Sequence, residues 1–439
     1  MMRILIDGNV EHTKARLSDL SCKSNDVAYI CDGTEYSDIE DVFHCLLKQR
    51  RYALLKDFNE CEFLLENVRG GVFPRRYYPM RMQIEHTSFC NARCIMCFHY
   101  YMHNRAAQHM DASVYAKVRE WLPFVRVVGL HGFGEPFLAP DLPNYLKDYH
   151  HFGIRLFTNT NLSVLPDYLG QYYDDFDFIN ISCDGVSREV FEGIRQNISF
   201  DTFIQNVRRL RREAPKVKLV LAAVLMRQNL HQCEQFVHLA SDLGLDRVTF
   251  SKVGINYAIG NYEDSVDNYP ETLQRRLDSA IEAGQKLGVQ VIVPRRDDEV
   301  SRAPISDALT KETVALQSLS FWSHHPEDAL ERILQTKRTN PQLYARVNEK
   351  CYSSTDRAIR GVCDWMTSDI YISAVGRVGF CCSNYRYYIG DLRNESLDAI
   401  WQGEHYSNMI HSFQSGYLPS FCQYCNLYEK GLLPGLLGK

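Results

Sequence analysis

The sequence predicts an α/β protein built on a parallel sheet, and three observations predict it. Strand-like and helix-like segments alternate from about residue 82 to 294, which implies right-handed βαβ units. Each group of chemically distinctive residues in that span stands just after a predicted strand, where parallel sheets carry their chemistry. The chain has 439 residues, of which 45% are hydrophobic and 23% charged. That is enough apolar material for two or three domains, or for one large α/β barrel with appendages.

The elements follow in order. Arg3 to Asp7 and Val27 to Cys31 read as a strand pair, with helices over Tyr36 to Lys48 and Phe58 to Asn67. Met82 to Glu85 is the first barrel strand. Ala112 to Leu122 is a helix, with Asp111 as N-cap and Val114, Val118 and Trp121 on one face. Val125 to Leu130, Ile154 to Thr158, Phe178 to Ser182, Val217 to Leu225, Arg247 to Phe250 and Val289 to Val293 are further strands. Leu142 to His150 and Leu230 to Leu243 are helices between them, the second stopped by Gly244. Residues 295 to 350 are polar, with a helical patch over Pro326 to Thr336. Ile370 to Ser373 and Arg377 to Cys382 form a hairpin turning at Gly376, and Ser396 to Gln402 is a short helix. The domain division is therefore 1–80 (an N-terminal accessory unit), 81–295 (the barrel), 296–350 (a helical linker or insertion) and 351–439 (a C-terminal domain).

Composition excludes several classes. Nothing is collagen-like or of low complexity. The longest apolar run, Leu219 to Met226, is far short of the roughly 18 residues a membrane helix needs. It reads as a buried strand, and no membrane association is expected. Net charge is -5, from 49 Lys+Arg against 54 Asp+Glu, so no nucleic-acid partner is indicated. The dense basic run, Arg208, Arg209, Arg211 and Arg212, shares its segment with Phe203, Val207 and Leu210 at helical spacing, and reads as a solvated helix face. Met1-Met2-Arg3 leads into only three apolar residues, unlike a secretory signal, so a cytoplasmic location is expected.

Fifteen cysteines are the compositional anomaly. In a reducing cytosol they point to metal ligation or redox chemistry rather than disulfides. Cys90-Asn-Ala-Arg-Cys94-Ile-Met-Cys97 follows the first barrel strand. Three thiolates can bind three irons of a [4Fe–4S] cube and leave the fourth open for a substrate. Zinc, with His86 or His99 as fourth ligand, and a redox pair at Cys94 and Cys97 are the alternatives.

CxxxCxxC in this position, after Glu85-His-Thr-Ser-Phe, resembles the radical S-adenosylmethionine (SAM) enzymes. The resemblance implies a partial (β/α)6 TIM-like barrel. It also implies a SAM-binding [4Fe–4S] cluster on Cys90, Cys94 and Cys97, and a flavodoxin- or ferredoxin-type electron donor. In that family one electron cleaves the SAM carbon–sulfur bond, and the 5′-deoxyadenosyl radical takes a hydrogen atom from substrate. Gly132-Phe-Gly134-Glu135-Pro resembles the motif that binds the methionine amino group, with Phe133 in place of its first glycine. Thr158-Asn159-Thr-Asn161 stands where the family often has Thr-Asn-Gly. Ser182-Cys-Asp184-Gly resembles the segment that holds the ribose and carboxylate, and Arg195 lies where many members have an arginine. Ser182 and Asp184 alternate with Cys183, so both point to one face. The SAM-site residues implied are thus Gly134, Glu135, Thr158, Asn159, Ser182, Asp184 and Arg195.

A second group gathers near the C-terminus. Twelve residues separate Cys363 from Gly376, four separate Gly376 from Cys381, and Cys422-Gln-Tyr-Cys425 follows. Four thiolates fit a structural zinc or an iron–sulfur cluster. The stretch from Cys363 through Gly390-Asp-Leu, Ile400-Trp401 and Cys425 resembles a SPASM/twitch domain, which implies an auxiliary [4Fe–4S] cluster. With no cysteine after Cys425, one auxiliary cluster is expected, on Cys363, Cys381, Cys422 and Cys425; Cys382 competes with Cys381 as ligand. Cys351 is an unassigned thiol in the same region. Such a cluster can accept an electron from a substrate radical. The first substrate expectation is therefore oxidation or epimerisation of a small polyhydroxylated molecule such as a sugar or aminocyclitol. No catalytic base is singled out. The alternative is a maturase acting on a ribosomally made peptide. Residues 28 to 73 faintly resemble leader-peptide recognition domains, which bind by strand addition.

Overall fold

The computed structural model describes residues 2–5, 27–31, 34–68, 75–97, 99, 108–254, 261–294, 369–380 and 388–408. At the N-terminus, β1 (Met2–Leu5) pairs parallel with β2 (Val27–Cys31), and β2 pairs antiparallel with a short β3 (Thr34–Tyr36). Tyr36 thus ends a strand rather than opening a helix. The helix α1 (Ile39–Lys48) starts after Asp38, whose carboxylate accepts from the Glu40 amide. Next comes α2 (Tyr52–Val68), six residues longer at its start than the expected helix. Leu55, in that extra stretch, packs with Ile39, Phe43 and Leu46, and the burial extends the helix beyond its local signals.

This unit is mounted on the barrel by its second helix. Phe124, from the barrel, lies in the unit's own apolar cluster. Lys56 donates to the Phe152 and Gly153 carbonyls at 2.7 and 3.2 Å. Asn59 exchanges two hydrogen bonds with the Tyr78 backbone. Arg126 pairs with Asp57 and Glu60 at 2.6 and 2.9 Å.

The barrel strands are β4 (Arg81–Ile84), β6 (Val127–Gly129), β7 (Arg155–Thr160), β8 (Phe176–Ser182), β10 (Lys218–Leu225), β11 (Arg247–Lys252) and β12 (Gln290–Ile292). Two short strands, β5 (Arg93–Cys94) and β9 (Arg195–Gln196), pair apart from them. The main sheet runs β12-β11-β10-β8-β7-β6-β4 in parallel, as the sequence pattern predicts. The helices between are α3 (Ala112–Trp121), α4 (Leu142–His151), α5 (Arg188–Ile194), α6 (Phe200–Glu213), α7 (Cys233–Asp242) and α8 (Pro270–Leu287). Asp111 caps α3 through the Ser113 amide at 2.7 Å, and Gly244 after α7 takes φ +67°. On α6, Arg209 pairs with Asp167 and Glu213 and Arg211 with Asp246, while Phe203, Val207 and Leu210 are buried.

One feature of the sheet was not expected. The C-terminal strand β13 (Asp369–Ile372) pairs parallel with β4, from Asp369 beside Arg81 to Ile372 beside Ile84. It then turns through Gly376 (φ +80°) into β14 (Arg377–Gly379), which pairs with β15 (Tyr388–Asp391), followed by α9 (Leu397–Trp401). The C-terminal hairpin therefore extends the barrel sheet itself. The helical patch Pro326 to Thr336 and the residues Cys351, Cys363, Cys381, Cys382, Cys422 and Cys425 lie outside the described residues. Among the described residues, no helix is long and apolar enough to cross a membrane.

Candidate SAM and iron–sulfur site

The cysteine loop leaves β4 at Glu85 and is shaped by short-range tethers. Thr87 Oγ1 accepts from the Phe89 amide at 3.0 Å and meets His109 Nδ1 at 2.8 Å. Ser88 and Gln108 exchange hydrogen bonds through the Ser88 hydroxyl and the Gln108 backbone. Further on, β5 pairs antiparallel with β9, so Cys94 sits opposite Arg195 in a backbone ladder. Ile95 and Met96 pack on Ile194, Met226 and Val253. The two residues between the second and third cysteines thus anchor the loop by apolar burial, leaving the thiols to turn the other way.

Cys90, Cys94 and Cys97 line one cavity of about 230 Å³ with Asn91, His99 and Asn197. Burial pushes the Cys90 thiol up to about 12 and the Cys94 thiol up to about 11, and raises Cys97 as well. Without added positive charge these groups stay protonated; iron supplies that charge and binds the thiolate. Two N–H donors already aim at the sulfurs. Asn161 Nδ2 is 3.7 Å from Cys90 Sγ, and Arg195 Nη1 is 3.7 Å from Cys94 Sγ. Three soft donors around one cavity, with hydrogen bonds to two of the sulfurs, fit an iron–sulfur cluster.

The expected SAM-site residues divide into those that reach this loop and those that do not. Gly134 packs against it: a Cβ there would lie 2.1 Å from the Thr87 carbonyl oxygen. Glu135 donates its amide to the Phe89 carbonyl at 2.8 Å. Its buried carboxylate accepts from Thr160 Oγ1 at 2.6 Å and from the Asn161 amide at 2.7 Å. Burial raises Glu135 to about 7, and those donors oppose the rise. Asp184 is fully buried and 2.7 Å from Arg195. Burial raises its carboxyl while Arg195 and the Val224 amide hold it down, the latter at 2.7 Å. Ser182 ends β8, half-buried.

Thr158 and Asn159 are not brought to the cysteine loop. Thr158 is fully buried on the same face of β7 as Leu156 and Thr160, two residues short of the end of the strand. Asn159 lies on the opposite face and accepts from Asn180 Nδ2 at 2.7 Å. The strand runs two residues further than expected, so Thr160 and Asn161 occupy the place beside the loop. Leu162, with φ +50°, sits where a Thr-Asn-Gly motif would have its glycine. That register was available in the sequence as Thr160-Asn161-Leu162, but the missing glycine hid it.

Comparisons with known proteins agree with this geometry. The radical SAM superfamily model matches residues 84–240, and the SPASM model, an iron–sulfur cluster-binding domain, matches residues 363–426. The chain is similar to the molybdenum cofactor biosynthesis protein moc-5 of Caenorhabditis elegans, at 30% identity over 45% of this chain and 34% of that protein. It is similar to the mycofactocin maturase MftC of Mycobacterium tuberculosis, at 28% identity over 38% of this chain and 43% of that one. The PqqA peptide cyclase of Bradyrhizobium diazoefficiens matches at 26% identity over 40% of this chain and 47% of the cyclase. The matched span is thus less than half the length of each of these relatives. Among solved structures, Streptococcus suis SuiB bound to its precursor peptide SuiA has the same fold, with a TM-score of 0.54 at 12% identity over 93% of this chain and 79% of SuiB. The two domain matches imply a SAM-binding cluster and auxiliary [4Fe–4S] chemistry.

Proposed function

We propose that this chain, which belongs to the radical SAM superfamily and carries a C-terminal SPASM iron–sulfur domain, modifies a peptide. The observation that carries the reading is the N-terminal unit. Its β3 is an edge strand with Thr34 and Glu35 exposed, and α2 fixes that edge to the barrel. An open edge accepts an extended peptide as an added strand. The names of two relatives support the same substrate class, the PqqA peptide cyclase and SuiB with its precursor peptide. These favour the peptide alternative over the polyhydroxylated small molecule expected first from the sequence.

In this reading Cys90, Cys94 and Cys97 hold the SAM-binding cluster, and Cys363, Cys381, Cys422 and Cys425 an auxiliary one. When bound, the first cluster supplies the electron that cleaves SAM and so starts hydrogen-atom abstraction from substrate. The chain's own groups prepare that event. Gly134 and Glu135 present the loop that takes the methionine amino group, and Thr160 and Asn161 hold the Glu135 carboxylate in place. Asp184 pairs with the Arg195 guanidinium and holds it aimed at Cys94. Phe157 and Phe178, with ring centroids 5.1 Å apart, shield the floor below Asn159 and Asn180, which offer amides to substrate.

The test is substrate-stimulated 5′-deoxyadenosine formation by the reduced holoenzyme. Pools of short ribosomal peptides and a panel of aminocyclitols and sugars would be compared. A peptide that stimulates formation and changes in mass, and does neither with the Glu35→Pro variant, supports the reading. Stimulation by a polyhydroxylated small molecule alone overturns it.

A further inference from the structure

The top of β4 carries a carboxylate that the SAM site as described does not use. Glu85 is 4% exposed. A buried carboxylate is acceptor-only and needs several donors to persist. It finds them on two segments far apart in sequence. Oε2 accepts from the Phe133 amide of the Gly132–Glu135 loop and from Tyr371 Oη of β13, the latter at 3.3 Å. Oε1 accepts from the Ala374 amide of the hairpin turn at 3.2 Å. Gly132 makes room for it: a Cβ there would meet Glu85 Oε2, Cβ and Cγ at 2.2 to 2.6 Å.

We infer that Glu85 is a positioning residue that couples the SAM-facing loop to the C-terminal iron–sulfur domain. One carboxylate holds Phe133, two residues before Glu135, and also holds the β13–β14 hairpin, whose chain continues towards Cys381. Movement of the hairpin is therefore transmitted to the loop through shared hydrogen bonds rather than through solvent. The inference rests on the radical SAM assignment and is independent of whether the substrate is a peptide.

Hydrogen exchange on the unaltered 439-residue chain tests it first without any variant. The Phe133 and Ala374 amides should open as one unit, with the same denaturant dependence. In Glu85→Gln, whose amide nitrogen turns a donor towards donors, both should exchange about tenfold faster or more, as when a buried hydrogen bond to a charged group is lost. Gly132→Ala should loosen residues 371–376 as well, although it lies in the other segment. In the reconstituted holoenzyme, Glu85→Gln should raise several-fold the SAM concentration that shifts the cluster's EPR signal. Asp369→Asn, which loosens the opposite end of the same two strands, should leave that concentration unchanged. Independent opening of the two amides in the unaltered chain, or equal SAM affinity in Glu85→Gln and the unaltered enzyme, overturns the coupling. Failure of the unaltered enzyme to respond to SAM would instead overturn the radical SAM reading beneath it.

Discussion

The two ends of β4 present the same chemical device to different purposes. At its start, Arg81 reaches across to Asp369 of β13, with Nε 2.8 Å from the carboxylate, and both are buried. At its end, Glu85 reaches to Tyr371 and Ala374 of the same hairpin, and also to Phe133. Among the described residues, the lower contact joins β4 to β13 at the start of both strands. The upper contact joins three segments beside the cysteines. Parallel barrels separate the two roles in this way because their loops after the strands converge and those before them do not. A buried charge at the bottom serves register and stability, whereas one at the top also sets where the reacting groups stand.

Replacing Cys90, Cys94 and Cys97 together by alanine should abolish SAM cleavage and lower iron in reconstituted protein from about eight to about four atoms per chain. Iron content that does not fall would break the assignment of the top end as the cluster site. Arg81→Ala removes the guanidinium that pairs with the buried Asp369, and denaturant melts should report a loss of about 3–5 kcal/mol. SAM affinity, measured in the same preparation, should stay as before; a parallel loss of affinity would erase the distinction between the ends.

Two smaller effects sharpen the upper end. Asn161→Ala removes the amide donor from Cys90 Sγ. Hydrogen bonds to cluster sulfurs stabilise the more negative reduced state, so a redox titration followed by EPR should place the variant at a lower potential. No shift would mean that the 3.7 Å contact carries no charge stabilisation. His86, next above Glu85, is buried against Tyr145 and Tyr149, and burial lowers it to about 3. The unfolded chain binds that proton more readily between about pH 6.5 and 3, so stability falls on acidification through this window, by up to about 1.4 kcal/mol per pH unit from this group. His86→Phe should flatten that limb of the melting profile. An unchanged acid limb would assign the loss to other groups.

Much of this was legible from local pattern. Period-two apolar runs and helix caps such as Asp111 reported the barrel strands and helices because each is a property of a few adjacent residues. The CxxxCxxC spacing was equally direct, since one loop carries all three thiols. Legibility failed where a motif lacked its usual residue. Leu162 hid the register that makes Thr160 and Asn161, rather than Thr158 and Asn159, the residues beside the loop. It failed again at Tyr36, whose strand pairing with Tyr29 overrode its reading as the start of a helix.

By itself the sequence determined the α/β class, the order of strands, the cysteine loop after β4 and the metal-ligating character of both cysteine groups, the choice of iron over zinc resting on the family resemblance. Those depend on hydrophobic periodicity, local spacing and thiol chemistry, none of which requires knowing what lies across the fold. Only the tertiary structure decided that the C-terminal hairpin completes the barrel sheet beside β4, and that Glu85 ties it to the Gly132–Glu135 loop. Pairings between residues 286 and 289 positions apart leave no periodic trace in a single chain. They exist because a buried carboxylate must find donors, and the fold is what brings those donors within reach.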